Sequence, residues 1–357
     1  MNARPGRVLL FTMVLLMFPV VTGNPAPVLA ADPPPVGASQ YVPITPMRLA
    51  DTRPTEAAYG GFTPINASTL RIDITHRAGV PANATAAVLN ITMIGSAGPG
   101  FVSVYPTGTA PPTSSNVNAD AAGRVIANMA HVKIGNGGSI DLTRSTISYI
   151  AVDLVGVYVP VTDAVSSGRL VTLNTGAQRV FDTRDRGYGL GANQAIPVDL
   201  AAAGVPADAS AVVVGVTAVQ AQPGFWTAYT VGSVRPGTST LNLDKAGQTR
   251  SGQAIVPLNG TDRSISVYSQ RGGHLLVDVV GWFTGAGDPV STSGLFLPSS
   301  PLRMLDTRTT RTLAPWAGST YEFTTGSSVP QISAVAMNVT VTAPWDFGFV
   351  TAFPAGA

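Results

Sequence analysis

The sequence predicts an all-β protein built from tandem antiparallel β-sandwiches, jelly-roll or immunoglobulin-like in type. Three observations predict it. Apolar residues recur with a period of two: Leu89 and Ile91 alternate with Asn90 and Thr92, and Met337 and Val339 with Asn338 and Thr340. That is the period of a strand with one buried face. Gly, Pro and Asn bound such runs every 8–12 residues or so, as in sandwiches, giving about eight short strands per unit. Lysine is confined to Lys133 and Lys245, and glutamate to Glu56 and Glu322. Exposed helices favour those two residue types, so their scarcity argues against a helical protein.

In chain order, residues 1–30 read as a secretory signal. Arg4 and Arg7 form a positive start, Val8 to Val21 an apolar run, and Val28-Leu29-Ala30 a small-residue cleavage site. The run is shorter than the roughly 20 residues of a spanning helix and contains Pro19. Cleavage removes Arg4 and Arg7 from 21 basic residues that face 19 acidic ones, leaving a near-neutral mature chain. Nucleic acid is therefore not expected as a partner, because no basic stripe remains to displace its counterions. No other segment reaches spanning length, so no membrane contact is expected beyond the signal. The absence of Cys excludes a disulfide framework, a thiolate metal site and a lipidation cysteine. The expected address is extracellular, free or held by the cell wall.

Residues 31–39, with Pro33, Pro34 and Pro35, form a stiff leader. A repeat organises the rest. Arg48-Leu49-Ala50-Asp51-Thr52-Arg53 returns as Arg179-Val180-Phe181-Asp182-Thr183-Arg184 and as Arg303-Met304-Leu305-Asp306-Thr307-Arg308. Gly79-Val80-Pro81 returns as Gly204-Val205-Pro206, and more loosely as Ser328-Val329-Pro330. Gly100-Phe101 with Tyr105 matches Gly224-Phe225 with Tyr229 and Gly348-Phe349 with Phe353. Ser115 with Asn118 matches Ser239 with Asn242, and Val152-Asp153-Leu154-Val155-Gly156 matches Val277-Asp278-Val279-Val280-Gly281. A period of about 125 residues is too long for a solenoid and suits a domain. The expected units are 40–161, 169–284 and an incomplete third at 295–357, with short linkers at 162–168 and 285–294. The third unit has no counterpart of Asn118 or Asp153, the mark of a truncated reading frame.

The ordered set Arg-x-x-Asp-Thr-Arg, Gly-Val-Pro, Gly-Phe-x-x-x-Tyr, Ser-x-x-Asn and Val-Asp-Val-Val-Gly-Trp-Phe resembles a repeat of secreted actinobacterial proteins. There it stands in tandem or beside cell-wall hydrolase domains. The resemblance implies a compartment and a lineage, but no established activity. Gly215 departs from it by replacing the Asn90 and Asn338 of the other units.

Chemistry is sparse. His76, His131 and His274 align with Ala201, Val256 and Tyr149, so no histidine recurs. No nucleophile elbow or zinc-binding helix motif is present, and no catalytic residue, cofactor or metal site is assigned. Asp153 and Asp278 interrupt apolar strands, where an unpaired carboxylate is costly to bury. Arg48 and Arg53, or Arg179 and Arg184, are their expected partners, in a latch tying the first strand of each unit to the last. Strand alternation sets Phe101, Ser103 and Tyr105 on one face, and Phe225, Thr227 and Tyr229 on its counterpart. This aromatic–hydroxyl–aromatic row is the candidate for sugar binding. The competing expectation, that aromatics are mostly buried, packs the row into the core and turns Val102 and Trp226 outward. Together these features predict a non-catalytic, secreted or surface-associated repeat protein for adhesion or for binding glycan or cell wall. The alternatives are a spacer carrying a hydrolase domain missing from this chain, and an Asp-dependent extracellular hydrolase.

Overall fold

The computed structural model describes residues 32–173, 176–309, 318–324, 332–342, 346 and 348–355. The expected signal segment at 1–30 and parts of the expected third unit lie outside the described residues. The strands are β1 (Ser39–Asp51), β2 (Thr63–Pro64), β3 (Thr69–Asp73), β4 (Ala86–Ile94), β5 (Gly100–Pro106), β6 (Val117–Ala119), β7 (Val125–Lys133), β8 (Ser139–Arg144) and β9 (Tyr149–Pro160). They continue as β10 (Leu170–Thr172), β11 (Gln178–Asp182), β12 (Gln194–Asp199), β13 (Ala211–Ala221), β14 (Gly224–Thr230), β15 (Leu241–Leu243), β16 (Gln248–Pro257), β17 (Ser264–Ser269) and β18 (His274–Phe283). There is no α-helix among the described residues, only two short 3-10 turns.

Two antiparallel sandwiches result. The first faces a sheet of order β1-β9-β4-β7 against one of order β2-β3-β8-β5-β6. The second faces β10-β18-β13-β16, with β11 also on β18, against β12-β17-β14-β15. If the short β2 is set aside and β10 and β11 are taken as one interrupted strand, both follow one plan. The first and last strands pair beside the third and sixth, and the second and seventh beside the fourth and fifth. This is the eight-stranded double Greek key of a jelly roll, not the order of an immunoglobulin domain. Proline cannot donate to a ladder, and the β1–β9 register shifts between Pro43 and Met47, across Pro46.

Alternation decides which face is buried. Leu89, Ile91 and Met93 of β4 meet Val102, Val104, Ile140 and Leu142 inside the first sandwich. Val212, Val214 and Val216 of β13 meet Trp226, Ile265 and Val267 inside the second. The outward residues of the same strands are also covered. Ala86, Val88, Tyr41 and Tyr158 of the first sandwich pack with Ala211, Val213, Ile255 and Phe283 of the second. Tyr41 stacks on Phe283 with centroids 4.2 Å apart. Phe296 bridges back to Ser39 as an isolated antiparallel pair and stacks on Tyr158 at 4.0 Å. The period-two segment around Met337 and Val339 is not a strand, and its apolar side chains are exposed. Neighbours explain this: β4 and β13 each lie between two later strands, and residues 295–357 hold no counterpart of those segments.

Candidate functional site

The Asp-Thr-Arg motif builds a strand end. Asp51 accepts the backbone N–H of Arg53 at 3.1 Å and its guanidinium at 3.0 and 2.6 Å. Asp182 does the same for Arg184, with contacts of 2.9, 3.0 and 2.6 Å, and Asp306 for Arg308 at 3.1, 2.8 and 2.6 Å. The guanidinium beside it holds the Asp182 carboxyl down to about 2. Burial pushes Asp51 up, but the Arg53 contacts outweigh it and its pKa is lowered. The threonine ties this turn to the last strand: Ile150 N–H donates to Thr52 Oγ1 at 2.8 Å and Leu275 N–H to Thr183 Oγ1 at 2.9 Å. Arg53 and Arg184 therefore serve the aspartate of their own motif and are not the partners of Asp153 and Asp278. A carboxylate two residues away is already aligned by the turn, so it captures the guanidinium first.

Arg48 and Arg179 do join the first strand to the last. Arg48 bonds Asp153 and also Asp51, and Arg179 bonds Asp278 at 2.8 and 3.1 Å. The pairs sit directly across the ladder, Arg48 opposite Asp153 and Arg179 opposite Asp278. They do not lie in the sandwich cores. Val152 and Leu154 point inward and turn Asp153 to the outer sheet face, as Val277 and Val279 do for Asp278. There the two pairs differ. The Arg48 and Asp153 side chains are 21% and 1% exposed, those of Arg179 and Asp278 46% and 23%. Asn90, opposite Asp153 on β4, donates to the Ser239 carbonyl of the second sandwich, which covers the first pair. Burial pushes the Asp153 carboxyl up to about 6, against the pull of Arg48.

The aromatic rows overturn the core expectation. Val102 and Val104, and Trp226 and Ala228, face the cores, so Phe101, Ser103 and Tyr105, and Phe225, Thr227 and Tyr229, face outward. The central hydroxyls are not free for a ligand. Ser103 Oγ donates to the Ser114 carbonyl at 2.6 Å and Thr227 Oγ1 to the Thr238 carbonyl at 2.8 Å, pinning the loop that follows. In the first sandwich Phe101 is exposed but Tyr105 is buried, its hydroxyl 2.8 Å from Thr143 Oγ1. Polar groups complete that face: Arg71 forks onto Asp141 at 2.8 and 3.0 Å, and Thr107 donates to Asp141 at 2.9 Å.

In the second sandwich the row gains members. Tyr268 of β17 lies beside Phe225 at 5.8 Å, and Arg235 from the following loop covers Tyr268 at 4.3 Å and Phe225 at 5.6 Å. Tyr268 donates its hydroxyl to Asn193 Oδ1 at 2.7 Å. Asn193 is held at φ 56°, in a left-handed conformation that few non-glycine residues adopt. Phe225 and Tyr268 are half-buried and Arg235 is exposed, with no carboxylate partner among the described residues. Repeat comparison misses Tyr268 because Thr143 occupies its place in the first sandwich. Its signal is the alternation Ser264, Ser266, Tyr268, which puts it on the face of Phe225.

His131 packs at the junction between Tyr158 and Phe296, where burial pushes its imidazole down to about 4. The ladder sets His131 opposite Val88 and Ile255 opposite Val213, so its counterpart is Ile255, one residue from the Val256 expected. Among the described residues no group of three or more His, Asp or Glu is placed to hold a metal ion. No family model matches the sequence, and no curated protein matches it. Among solved structures, the N-terminal CBM22-1-CBM22-2 tandem domain from Paenibacillus barcinonensis Xyn10C covers 73% of this chain and all of its own, at 11% identity and a TM-score of 0.19.

Proposed function

We propose that this chain is a non-catalytic, exported glycan-binding protein that meets cell-wall or extracellular polysaccharide through the outer face of β14 and β17. One observation carries the reading: Phe225 and Tyr268 stand together on an outward sheet face under Arg235, which has no carboxylate partner among the described residues. An aromatic face suits the apolar side of a sugar ring, and a guanidinium offers five fixed donors to its hydroxyls. Phe101, outward at the same register of the first sandwich, adds a second contact. Binding is favoured over Asp-dependent hydrolysis because Asp153 and Asp278 each bond an arginine, and Asp153 lies beneath the second sandwich. The Asp-Thr-Arg and Ser-x-x-Asn motifs build turns in this structure, so the kinship with secreted actinobacterial repeats belongs to the same proposal.

The test is retention of the chain from residue 32 on insoluble cell wall and on immobilised neutral and acidic polysaccharides. Retention is expected on at least one, falling at least about ten-fold in the doubly substituted Phe225→Ala, Tyr268→Ala protein, because each stacked aromatic contributes on the order of 1 kcal/mol. Both side chains are outside the core cluster, so unfolding is expected to change little. Wild-type protein that passes through every matrix unretained sinks the reading.

A further inference from the structure

The contact that covers Asp153 is made twice. Asn90 on the outer face of the first sandwich donates to the carbonyl of Ser239, in the Ser-x-x-Asn turn of the second. The first sandwich's own turn is met in the same way: the Ser115 carbonyl accepts the amide of Asn338, which stands at the position of Asn90 in the third set of motifs. Asn128 donates to Asn338 Oδ1 at 2.9 Å, and Arg303, the counterpart of Arg48, donates to the Thr113 carbonyl at 2.5 Å. One kind of surface, an outer face with its Asn, thus meets one kind of edge, the turn before the fifth strand, and Arg303 adds an arginine contact in the second case. Such a head-to-tail contact leaves an unused face at one end of any open series.

That face belongs to the second sandwich. Gly215 lies opposite Asp278 and Gln253, Thr217 opposite Ser251, and Arg179 opposite Asp278, in the register that holds Asn90, Asp153 and Arg48 in the first. Arg179, Ser251 and Gln253 are exposed, and Gly215, Thr217 and Asp278 are half-buried. We propose that this open face docks the Ser115 edge of a second copy of the chain, in exchange for the Asn338 and Arg303 that hold the edge within one copy. Continuity with the contact made twice already identifies the occupant. Arg179 is the donor for the Thr113 carbonyl, in the role Arg303 plays. Gly215 supplies no amide, so the docking is one hydrogen bond short. The competing segment at 332–342 is exposed and contains no strand, so it holds the edge through few contacts.

The experiment is sedimentation equilibrium with light scattering on residues 32–357 over a wide range of concentration, with unfolding curves to establish that each variant is folded. Reversible self-association is expected. Gly215→Asn tightens it about five-fold, the worth of one neutral hydrogen bond. The substitution fits, since a Cβ there meets nothing nearer than Asp278 at 3.9 Å. Asn338→Ala frees the edge and also strengthens association, whereas Thr217→Arg crowds the open face and abolishes it. Self-association indifferent to both Gly215→Asn and Thr217→Arg overturns the proposal, as does an Asn338→Ala protein that stays monomeric at every concentration.

Discussion

The two complete sandwiches carry one ion pair in two settings. Arg48 and Asp153 face each other across β1 and β9 beneath the Ser239 turn; Arg179 and Asp278 hold the same register across β11 and β18 and open to solvent. The pairs differ in what docks over them, not in their residues. In a repeat chain, burial of a motif is a property of its neighbour, and identical sequence does not imply identical energetics. The largest expected effect follows from this contrast. Asp153→Ala leaves the Arg48 guanidinium under the second sandwich with Asp51 alone, and breaking a buried pair costs about 3–5 kcal/mol. Urea unfolding measures the loss directly. A loss below about 1 kcal/mol places Asp153 in the range of an exposed pair and breaks the comparison.

A second test separates the two titrating groups that the junction encloses. Asp153 is raised to about 6 by burial, above the roughly 3.9 of an unfolded chain. The folded protein then binds its proton more tightly, so this contribution is full below about pH 4 and is lost as pH rises through 6. His131 is lowered to about 4 from roughly 6.5 in an unfolded chain, so its contribution is full above 6.5 and is lost as pH falls towards 4. The slopes oppose each other over one window, each worth on the order of 3 kcal/mol for about two pH units. Stability of the native chain is therefore expected to change little between pH 4 and 6.5. Asp153→Asn unmasks a fall on acidification, and His131→Gln unmasks a rise. Variants that both follow the native profile show that neither group is enclosed as its contacts require.

Much of this was legible in the sequence, and the failures are instructive. Period-two alternation in Leu89 and Ile91 gave a strand with the correct inner face, because burial on a pleated sheet leaves a direct pattern, whereas the same alternation in Met337 and Val339 forms no strand. Arg48 and Arg179, at the start of the first two Asp-Thr-Arg motifs, found their cross-strand aspartates, since a carboxylate inside an apolar strand needs a cation. Arg53 and Arg184 were misplaced because a turn two residues long competes with a partner about a hundred residues away, and sequence distance carries no geometry. The expectation that packed the aromatic rows into the core failed for another reason. Val102 and Val104 fill the inner positions, and the loops pinned by Ser103 and Thr227 cover part of the aromatic face from outside the sandwich. No alternation rule reports a covering loop. The contact between sandwiches was invisible for the same reason: Asn90 reads as an ordinary outward residue until Ser239 is placed against it.

Asn90 itself offers the next comparison. Its amide spans the junction to the Ser239 carbonyl, while Gly215 at the same register has no side chain and no partner. Asn90→Ala leaves that carbonyl without its donor in a closed interface, at a cost of about 1–3 kcal/mol. Denaturant unfolding should register the loss, and amide exchange should quicken across β4 and β15 together. Loss of stability without faster exchange in β15 means that the amide supports its own sandwich and not the junction.

The smallest effect belongs to the open pair. Asp278 and Arg179 are both solvated in part, so their attraction acts through water and is screened by salt. Exposed pairs of this kind contribute about 0.2–1 kcal/mol. Arg179 also keeps Asp182 within 3.6 Å, so removal of Asp278 does not strand a cation. Asp278→Ala should therefore shift the urea midpoint only slightly, by an amount that shrinks further at 1 M salt, whereas the Asp153→Ala loss is expected to persist there because its pair is shielded from the electrolyte. A large, salt-independent loss in Asp278→Ala would mean that the outer face of the second sandwich is covered in solution. It would then be the docked second copy, not the chain's own fold, that makes the two pairs alike, and the loss would grow with protein concentration.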